Sequence, residues 1–340
     1  MGTGWVARDY VIPAILSSCN GELLALHDAD PPALARAASL APDALAAGSL
    51  DAFLNVPELG AVYIATPNDA HRPLVEAAAR RGLAVMCEKP MAATAVDAAA
   101  MVAACDAARV PYATAFDQRF HSAHMHLAGL VSDGALGAVT AIRIVYACWV
   151  PPGWAADNWR VARGRAGGGA LIDLAPHGLD LAATLLGQEI VAVSAMGQQL
   201  VHEYADPTIE DAAMLLARTS GGVLVQLHVA YNCPETLPRR RLEVIGTKAQ
   251  AVAIDTMGQT PGGRLCLIDA GDGSARDIEI PDAARSPFQG QVEAFAECVI
   301  AGRQYPFTAD ADLRLMRLVE HASLMAQPPV LQDADLMRAG

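Results

Sequence analysis

The sequence is poor in positive charge. It has 24 lysine and arginine residues against 37 aspartates and glutamates, which gives a net charge of −13 at neutral pH. A surface with this excess of negative charge repels the phosphate backbone of nucleic acids and the headgroups of anionic lipids. We therefore expect a small-molecule ligand and neither a nucleic-acid nor a membrane partner.

The sequence also lacks the segments that anchor or export a protein. No apolar run approaches the roughly 18 residues of a membrane-spanning helix, and no charged and then apolar leader precedes a cleavage site. The 7 cysteines are odd in number and form no CxxC pair. That pattern excludes a zinc site and a disulfide framework and is typical of a reducing compartment. We therefore expect a cytoplasmic protein without a metal site.

What is present is the composition of a folded protein. The chain has 340 residues, of which 53% are hydrophobic and 18% are charged. Disordered and fibrous proteins do not have this composition. At about 150 residues per domain, the length predicts roughly two domains, each large enough to bury its own core.

The first 117 residues alternate short apolar runs with helical patterns, which is typical of βαβ units and a parallel sheet. The predicted strands are 22–27, 61–66, 84–88 and 111–116. The predicted helices are 5–17, 71–81 and 94–109. In the last of these, Thr94 is the expected N-cap and Asp97 follows three positions on.

After residue 138 the pattern changes to β-rich runs that follow one another with little helix between them. These runs are 139–149, 190–198, 212–219, 222–232 and 241–245. Their succession predicts a large, mostly antiparallel open sheet in an α+β domain. Two amphipathic helices, 288–301 and 308–325, are expected to complete it. We predict a first domain of residues 1–118 and a second of residues 119–340.

A glycine loop with the pattern GxGxxA opens the chain and leads directly into the first predicted helix. Such glycines allow a tight turn and let backbone N–H groups approach a pyrophosphate at the positive end of a helix. Alone, the pattern also fits a plain turn. As a nucleotide site, the loop is expected to contact a cofactor through Gly2, Thr3, Gly4, Trp5 and Val6.

Asp28 supports the nucleotide interpretation. It ends the next predicted strand, 24 residues after Gly4, where a dinucleotide-binding (Rossmann) fold places the acid that binds the adenosine ribose. The alternative is an ordinary surface aspartate. We predict an N-terminal Rossmann domain with a doubly wound parallel sheet. Because a carboxylate at this position repels a 2′-phosphate, the sequence favours NAD, with NADP as the alternative.

The sequence has almost nothing in the place of the first strand. The fold needs a strand before the glycine loop, normally the central one, and only Met1 precedes Gly2. Omitting that strand leaves unpaired backbone groups on both neighbours, each costing about 1–3 kcal/mol. The expectation is that several residues were lost upstream through a mis-called start codon. N-terminal mass spectrometry of the native protein would exclude this by finding Met1 first.

Lysine is the scarcest charged residue, since Lys89 and Lys248 are the only two. Arginine cannot lose its proton in a protein whereas an ammonium group can, so a lysine kept in this background indicates a need for an exchangeable proton. Lys248 lies in a turn-like sequence, and we expect that it is present by chance and has no functional role. Lys89 ends a predicted strand, at the edge where open α/β sheets bind ligands.

Several motifs follow the predicted parallel strands or lie in the second predicted domain. They are Ala65-Thr66-Pro67-Asn68 with His71, Cys87-Glu88-Lys89-Pro90, Arg119-Phe120, Trp159-Arg160, and the triple glycine 167–169 that runs on to Asp173, His177 and Asp180. In this combination the chain resembles the Gfo/Idh/MocA family of nicotinamide-dependent sugar and cyclitol oxidoreductases. The resemblance covers nearly the whole chain.

The resemblance implies roles for these residues. Hydride transfer to or from a carbinol carbon needs a group that gives or takes the hydroxyl proton. Lys89 is the expected general acid/base, His177 its aid, and Asp173 a ligand of a substrate hydroxyl. Expected cofactor contacts are Thr66, Asn68, His71 and Glu88, and expected substrate contacts are Arg119, Trp159 and Arg160. The resemblance also implies a cis peptide bond before Pro90.

Each assignment has a structural alternative. Lys89 also fits a surface lysine paired with Glu88, and Arg119 also fits a salt bridge between domains. Asp173 and His177 also fit a helix cap and an interior histidine, and the proline and glycine around His177 predict a kink or a late helix start. Trp159 and Arg160 also fit core packing. For His121, His124 and His126 we predict a solvated helix face rather than a metal site.

Two other functions remain open at this point. Some relatives with this fold cleave glycosidic bonds through transient oxidation by bound NAD, and others are non-catalytic regulators that bind NAD(P). The presence of Lys89, Asp173 and His177 together speaks against a pure binder. An open sheet in the second domain needs its apolar face covered, so we also expect a homodimer or homotetramer.

Overall fold

A computed structural model of the protein describes residues 1–151, 153, 158–204 and 206–326. Its N-terminal part contains parallel sheets flanked by helices, and its C-terminal part contains a large, mostly antiparallel sheet. The expected fold class is therefore confirmed. Among these residues, no helix is both long enough and apolar enough to span a bilayer.

The N-terminal part alternates strands with helices, as its hydrophobic pattern predicts. Its strands are β1 (Ala25–Leu26), β2 (Leu45–Ala46), β3 (Ala61–Ile64), β4 (Ala84–Glu88) and β5 (Tyr112–Ala115). Its helices are α1 (Ile12–Ser17) with a preceding π-helical turn (Ala7–Val11), α2 (Pro31–Ala38), α3 (Leu50–Leu54), α4 (His71–Arg80) and α5 (Ala95–Ala108). Thr94 caps α5 as expected, since its hydroxyl accepts a hydrogen bond from the Asp97 amide. Helices α2 and α3 and strand β2 were not predicted.

The parallel strands form two separate sheets, β1-β2 and β3-β4-β5. Met1 and Gly2 join them at one end, because the Gly2 amide donates to the His27 carbonyl (2.9 Å) and the Ala65 amide donates to the Met1 carbonyl (2.8 Å). Beyond that link, β1 and β3 face each other across a small cavity of about 90 Å³. β1 consequently pairs over two residues only, although six were predicted to be extended.

Helices from the end of the chain cover the N-terminal sheet. Phe295 and Cys298 pack with Met86 and Ala113 on one face of β3-β4-β5. Leu313 belongs to the apolar cluster on the other face, with α4 and α5. The expected boundary at residue 118 stays a prediction, and these contacts show that the packing of the sheet draws on residues from both sides of it.

Within the described residues, the C-terminal part contains eight strands and five α-helices. The strands are β6 (Val139–Ala147), β7 (Ile190–Gln198), β8 (Ala212–Thr219), β9 (Leu224–Ala230), β10 (Arg240–Gly246), β11 (Ala249–Ile254), β12 (Arg264–Asp269) and β13 (Ala275–Ile278). The helices are α6 (Ser122–Ser132), α7 (Arg163–Ala166), α8 (Ala170–Leu186), α9 (Pro287–Ala301) and α10 (Ala309–Met325). The last three strands were not predicted.

The strand order of the large sheet is β13-β12-β11-β10-β6-β9-β8-β7, and all neighbours are antiparallel except β6 and β9. The expected run of strands with little helix between them is wrong, because the 17 residues of α8 separate β6 from β7. α8 packs on one face of the sheet. A Cβ on Gly178 would lie 2.8 Å from the Leu227 side chain, so glycine permits this close approach.

Candidate active site

A cleft of about 560 Å³ lies where the carboxyl ends of β3, β4 and β5 meet α8. The glycine loop borders it at one end and Tyr146 of β6 at another. Open α/β sheets bind their ligands at this edge, because the chain leaves each parallel strand there and presents side chains and helix ends together.

Lys89 lies at the end of β4, followed by a cis peptide bond to Pro90, as the resemblance implied. Its Nζ donates to Asp173 Oδ1 (2.8 Å) and to the Asp173 carbonyl (2.9 Å). The Lys89 side chain is only 13% exposed. Glu88 bonds the backbone amide of Lys89 and not its ammonium group. The alternative of a surface lysine paired with Glu88 is therefore wrong.

Asp173 is held from two sides. Its second oxygen, Oδ2, accepts a hydrogen bond from the hydroxyl of Tyr231 (2.7 Å). Burial opposes ionisation of this carboxyl, but the positive charge of Lys89 and these hydrogen bonds outweigh it and hold the pKa of Asp173 below its usual range. Asp173 is therefore an ion-paired carboxylate within the cleft. Tyr231 directly follows β9 and lies outside every motif, so the motifs carried no signal for it.

His177 lies one turn after Asp173 on α8. The helix begins at Ala170 and runs through Pro176 without a break, so the two side chains share a face and the expected late start is wrong. Phe116 and Tyr146 contact the imidazole edge-on, at centroid distances of 6.2 and 5.6 Å. Burial and the nearby Lys89 charge lower the pKa of His177 well below its ordinary value. The ring is therefore neutral near pH 7.

Asp117 follows β5 and faces the same cleft, although the sequence analysis did not single it out. Its Oδ1 lies 3.4 Å from His177 Nδ1. Burial, with the negative charge of Glu88, raises the pKa of Asp117 to about 7. A signal existed, since Asp117 directly follows a predicted strand and adjoins the Arg119 motif.

Glu88 lines the cleft beside Lys89, and Tyr63 and Gln291 hold its carboxyl group in place. The Tyr63 hydroxyl donates to Glu88 Oε1 (2.7 Å), and the Gln291 amide donates to the same hydroxyl (3.0 Å). Burial raises the pKa of Glu88 above its usual value. The expected position of Glu88 at the cleft is supported, whereas neither partner was predicted.

The glycine loop fits a phosphate-binding turn. Gly2 has a φ of +79°, and a Cβ there would lie 2.7 Å from the Ala65 carbonyl carbon, so only glycine is accommodated. A Cβ on Gly4 would meet nothing within 4 Å, which leaves open space above the helix that follows. Trp5 and Val6 also line the cleft. The loop thus combines a close backbone approach with a helix start, the two features that suit a pyrophosphate.

Asp28 lies beside this loop at the cleft. Its Oδ2 accepts from the Thr3 amide (2.6 Å) and the Thr3 hydroxyl (2.9 Å). Burial favours the neutral acid, but these bonds and one from the Asp30 amide lower the pKa of Asp28 overall. Thr3 is buried and its side chain faces Asp28. Thr3 therefore positions Asp28, and its expected contact with a cofactor stays a prediction.

The other expected cofactor residues divide into two groups. Thr66 and Asn68 line the cleft, and the Asn68 amide donates to the Ala166 carbonyl (2.9 Å). His71 is completely buried, and its two ring nitrogens lie 2.9 and 3.0 Å from the carbonyl oxygens of Met91 and Thr66. The expected cofactor contact of His71 is therefore wrong, because the ring joins the loops after β3 and β4.

Arg119 lies outside this cleft. It forms a bidentate bond to Asp180 and a further bond to Asp312, with its guanidinium stacked between the rings of Phe116 and Phe307. Its side chain is 3% exposed. The expected substrate contact is therefore wrong. A buried salt bridge is present, but Arg119 and both acids lie within the predicted second domain (119–340), so it is not the bridge between domains given as the alternative.

Trp159 and Arg160 line the cleft as expected. The Arg160 guanidinium lies 4.4 Å from the Trp159 ring centroid and 6.0 Å from that of Trp5. This cluster joins the glycine loop to the C-terminal part of the chain. Residues 152 and 154–157, just before it in the sequence, lie outside the described residues.

The solvated face predicted for the three histidines near residue 124 is wrong for two of them. His121 and His124 are buried, and His124 is fixed between the Gln118 carbonyl (3.1 Å) and the Thr256 hydroxyl (3.0 Å). Across the described part of the chain, no group of three or more histidine, cysteine, aspartate or glutamate side chains has a metal-binding arrangement.

Comparison with known proteins identifies similar families for both parts of the chain. Residues 1–116 match the model of an oxidoreductase family with an NAD-binding Rossmann fold, and residues 124–252 match the GFO/IDH/MocA C-terminal domain. A 1,5-anhydro-D-fructose reductase of Ensifer adhaerens is 29% identical, with 87% of this chain and 88% of the relative covered. A dTDP-3,4-didehydro-2,6-dideoxy-alpha-D-glucose 3-reductase of Streptomyces violaceoruber is 30% identical over 88% and 83% of the two chains.

A solved structure shows the same fold over almost the entire chain. An aldose-aldose oxidoreductase of Caulobacter crescentus, complexed with glycerol, matches with a TM-score of 0.84 and 28% identity. The match covers 96% of each chain. The two-part architecture described above is therefore shared with an oxidoreductase.

Proposed function

The chain belongs to the Gfo/Idh/MocA family of oxidoreductases, which has an NAD-binding Rossmann domain, and from this premise we propose that it transfers a hydride to or from a carbon of a cyclic polyol or sugar. Lys89 is the general acid/base in this proposal. The observation that carries it is the Lys89 ammonium group, 2.8 Å from Asp173 in a cleft that also contains the glycine loop and His177.

The reaction needs a hydride carrier and a proton carrier on the same carbinol group. When bound, the nicotinamide gives or takes the hydride. In the direction of reduction, Lys89 donates a proton to the carbonyl oxygen, and in the direction of oxidation its amine takes the hydroxyl proton. Asp173 holds Nζ in place through two contacts, one from its carboxylate and one from its backbone carbonyl. His177 offers a second polar contact to the substrate.

The site favours a cyclic, hydroxylated substrate. Aromatic faces suit the C–H surfaces of sugars and guanidinium forks suit vicinal hydroxyls. Trp159 supplies such a face, and Arg160 and Arg165 supply the forks at the same cleft. Their position supports a substrate site beside Lys89 that the C-terminal part of the chain provides.

NAD is the proposed cofactor rather than NADP. The hydrogen bonds to Asp28 lower its pKa, so it carries a negative charge at neutral pH. Arg36, the arginine that follows next in the sequence, is exposed and lies 3.9 Å from Asp30. Arg36 therefore does not neutralise the negative charge of Asp28, and this charge disfavours a 2′-phosphate on the adenosine ribose.

We also propose that a second copy of the chain covers the outer face of the large sheet. The outward-facing side chains of β7, β8 and β9 include several exposed apolar residues, namely Val191, Met196, Met214, Leu216 and Leu224. Met196 lies opposite Met214 in the pairing of β7 with β8, and exposed apolar side chains gathered on one face are typical of an interface. Light scattering is expected to show a dimer or tetramer, and a monomer would refute the proposal.

The free state of all 7 cysteines supports a cytoplasmic location.

The test of the proposed function is a panel of aldoses, ketoses and inositols, each incubated with NAD or NADP and scored for the reduced cofactor. We expect net reduction of NAD with at least one sugar or cyclitol. Cleavage of aryl glycosides without net reduction would favour the glycosidase alternative. Cofactor binding without either reaction would favour a regulator.

A further inference from the structure

Asp117 is a buried acid that the motifs leave unassigned. It lies in the first turn after β5, is 3% exposed, and lines the cleft that contains Lys89 and His177. Burying a carboxyl group that makes no salt bridge to lysine or arginine is costly, and buried acids of this kind are concentrated at functional sites. Its Oδ1 atom lies 3.4 Å from Nδ1 of His177.

The carboxyl group of Asp117 is fixed in direction. Its Oδ2 accepts a hydrogen bond from the side-chain amide of Gln118 (2.7 Å). The same amide donates to the Gly258 carbonyl (2.7 Å), so a loop of the C-terminal part holds Gln118. With Oδ2 engaged, Oδ1 is the oxygen presented to His177.

Packing fixes the plane of the His177 imidazole but does not fix which of its two ring nitrogens carries the proton. The rings of Phe116 and Tyr146 contact it edge-on, both at interplanar angles of 80°. Within the described residues, neither of its ring nitrogens has a completed hydrogen bond. The 3.4 Å separation from Asp117 is about 0.5 Å longer than a well-formed bond, and catalytic contacts commonly tighten when substrate binds.

We propose that Asp117 is a positioning residue that orients His177 and decides which of its ring nitrogens carries the proton. A carboxylate at Asp117 accepts from Nδ1–H, which leaves Nε2 as an acceptor for a substrate hydroxyl. A protonated Asp117 donates to Nδ1, which places the imidazole proton on Nε2 and makes it a donor to a substrate carbonyl. The expected effect on turnover rests on the proposed function, whereas the expected tautomer of His177 does not.

The charges around the pair are consistent with this exchange. Glu88 and Lys89 face Asp117 from the end of β4, Asp173 faces His177 from the preceding turn of α8, and Tyr146 approaches from β6. Burial and Glu88 raise the pKa of Asp117 to about 7, whereas burial and Lys89 keep His177 neutral. The carboxyl group and not the imidazole therefore gains the proton as the pH falls.

The direct test is nitrogen NMR of the full-length protein labelled in its histidines. Spectra are recorded roughly two units above and two units below the pKa of Asp117, and the His177 signals are assigned by their loss in His177→Gln. We expect Nδ1–H at high pH and Nε2–H at low pH in the wild-type protein. The same tautomer at both pH values would overturn the proposal.

Asp117→Asn keeps the size of the side chain and removes its charge. In this variant the tautomer of His177 is expected to stay the same across the pH range. His202 is the internal control, because it forms a similar buried pair with Asp211 (3.3 Å) away from Asp117. Its signals are expected to be unchanged in Asp117→Asn. A His177 tautomer that still changes in the variant would also refute the role of Asp117.

Kinetics then measure the consequence for catalysis. Asp117→Asn is expected to lower kcat about 10- to 100-fold with little change in KM or cofactor affinity, as for loss of a positioning contact. The ionisation near pH 7 is expected to disappear from the pH profile of kcat. Unchanged kcat and an unchanged pH profile would contradict the proposal. Because the NMR test needs no substrate, it remains decisive even if sugar oxidation is not detected.

Discussion

Replacement of Lys89 by methionine removes the proposed proton carrier and keeps the length of its aliphatic stem. In the structure, the ammonium group makes two contacts to Asp173 and is almost enclosed. General acid–base catalysis contributes about 10²- to 10⁴-fold to the rate, which is about 2.7–5.4 kcal/mol of barrier. We therefore expect kcat to fall by a factor in this range.

The same substitution changes Asp173. Because the positive charge of Lys89 is the main influence that lowers the pKa of Asp173 against burial, the pKa of this carboxyl is expected to rise in Lys89→Met. The Tyr231 hydroxyl still binds Oδ2, so the helix position is expected to persist. A protonated Asp173 avoids leaving an unpaired charge, and the variant is expected to fold.

The assay follows the absorbance of the reduced nicotinamide with the best substrate of the panel, and cofactor binding is measured separately by calorimetry. Lys89→Arg is the matched control, since arginine keeps the charge beside Asp173 but does not release a proton. Both variants are expected to bind NAD with near wild-type affinity and to turn over slowly. If Lys89→Met kept more than about a tenth of the wild-type kcat, or if Lys89→Arg were fully active, the acid/base role would be refuted.

Three further substitutions test other parts of the structure. Asp28→Asn keeps an oxygen for Thr3 but removes the charge, so the ratio of NADP to NAD affinity should rise about tenfold by calorimetry, and an unchanged ratio would contradict the proposed NAD preference. Arg119→Met leaves two buried acids unpaired and should reduce the free energy of unfolding by about 3–5 kcal/mol in urea. That loss should be smaller near pH 5, where Asp180, whose pKa is already about 6, is protonated; a loss independent of pH would refute the reasoning. Asp117→Asn should stabilise the protein above pH 7. The pKa of Asp117 is about 7 in the folded protein and 3.8 when the group is free, so the free energy of unfolding of the wild type falls as the pH rises from 3.8 to 7. The slope is at most about 1.4 kcal/mol per pH unit, and the variant lacks this loss. Equal urea stability of variant and wild type at high pH would show that ionisation of Asp117 carries no such cost.

The sequence predicted those parts of the site that depend on local pattern. The end of a predicted strand placed Lys89 at the ligand-binding edge of the sheet, and a glycine loop followed by Asp28 indicated a nucleotide site. In each case short-range geometry determines where the side chain lies. The structure confirms that these segments meet at one cleft.

The sequence failed where tertiary packing decides the role of a residue. Arg119 and His71 are polar residues beside genuine motifs, yet both are buried and bonded to the protein itself. Tyr231 reaches Asp173 from the residue after β9, and Asp117 reaches His177 from the turn after β5, so tertiary packing sets both contacts. Spacing along the chain cannot distinguish a charged residue that binds a ligand from one that joins two helices.

The most direct measurement of the central claim follows a single hydrogen atom. A sugar or cyclitol deuterated at its carbinol carbon is incubated with the protein and NAD, and the cofactor is analysed by mass spectrometry. The account predicts one deuterium in each molecule of reduced cofactor, with transfer greatly slowed in Lys89→Met. Cofactor that binds and yet acquires no deuterium from any member of the panel would contradict the account.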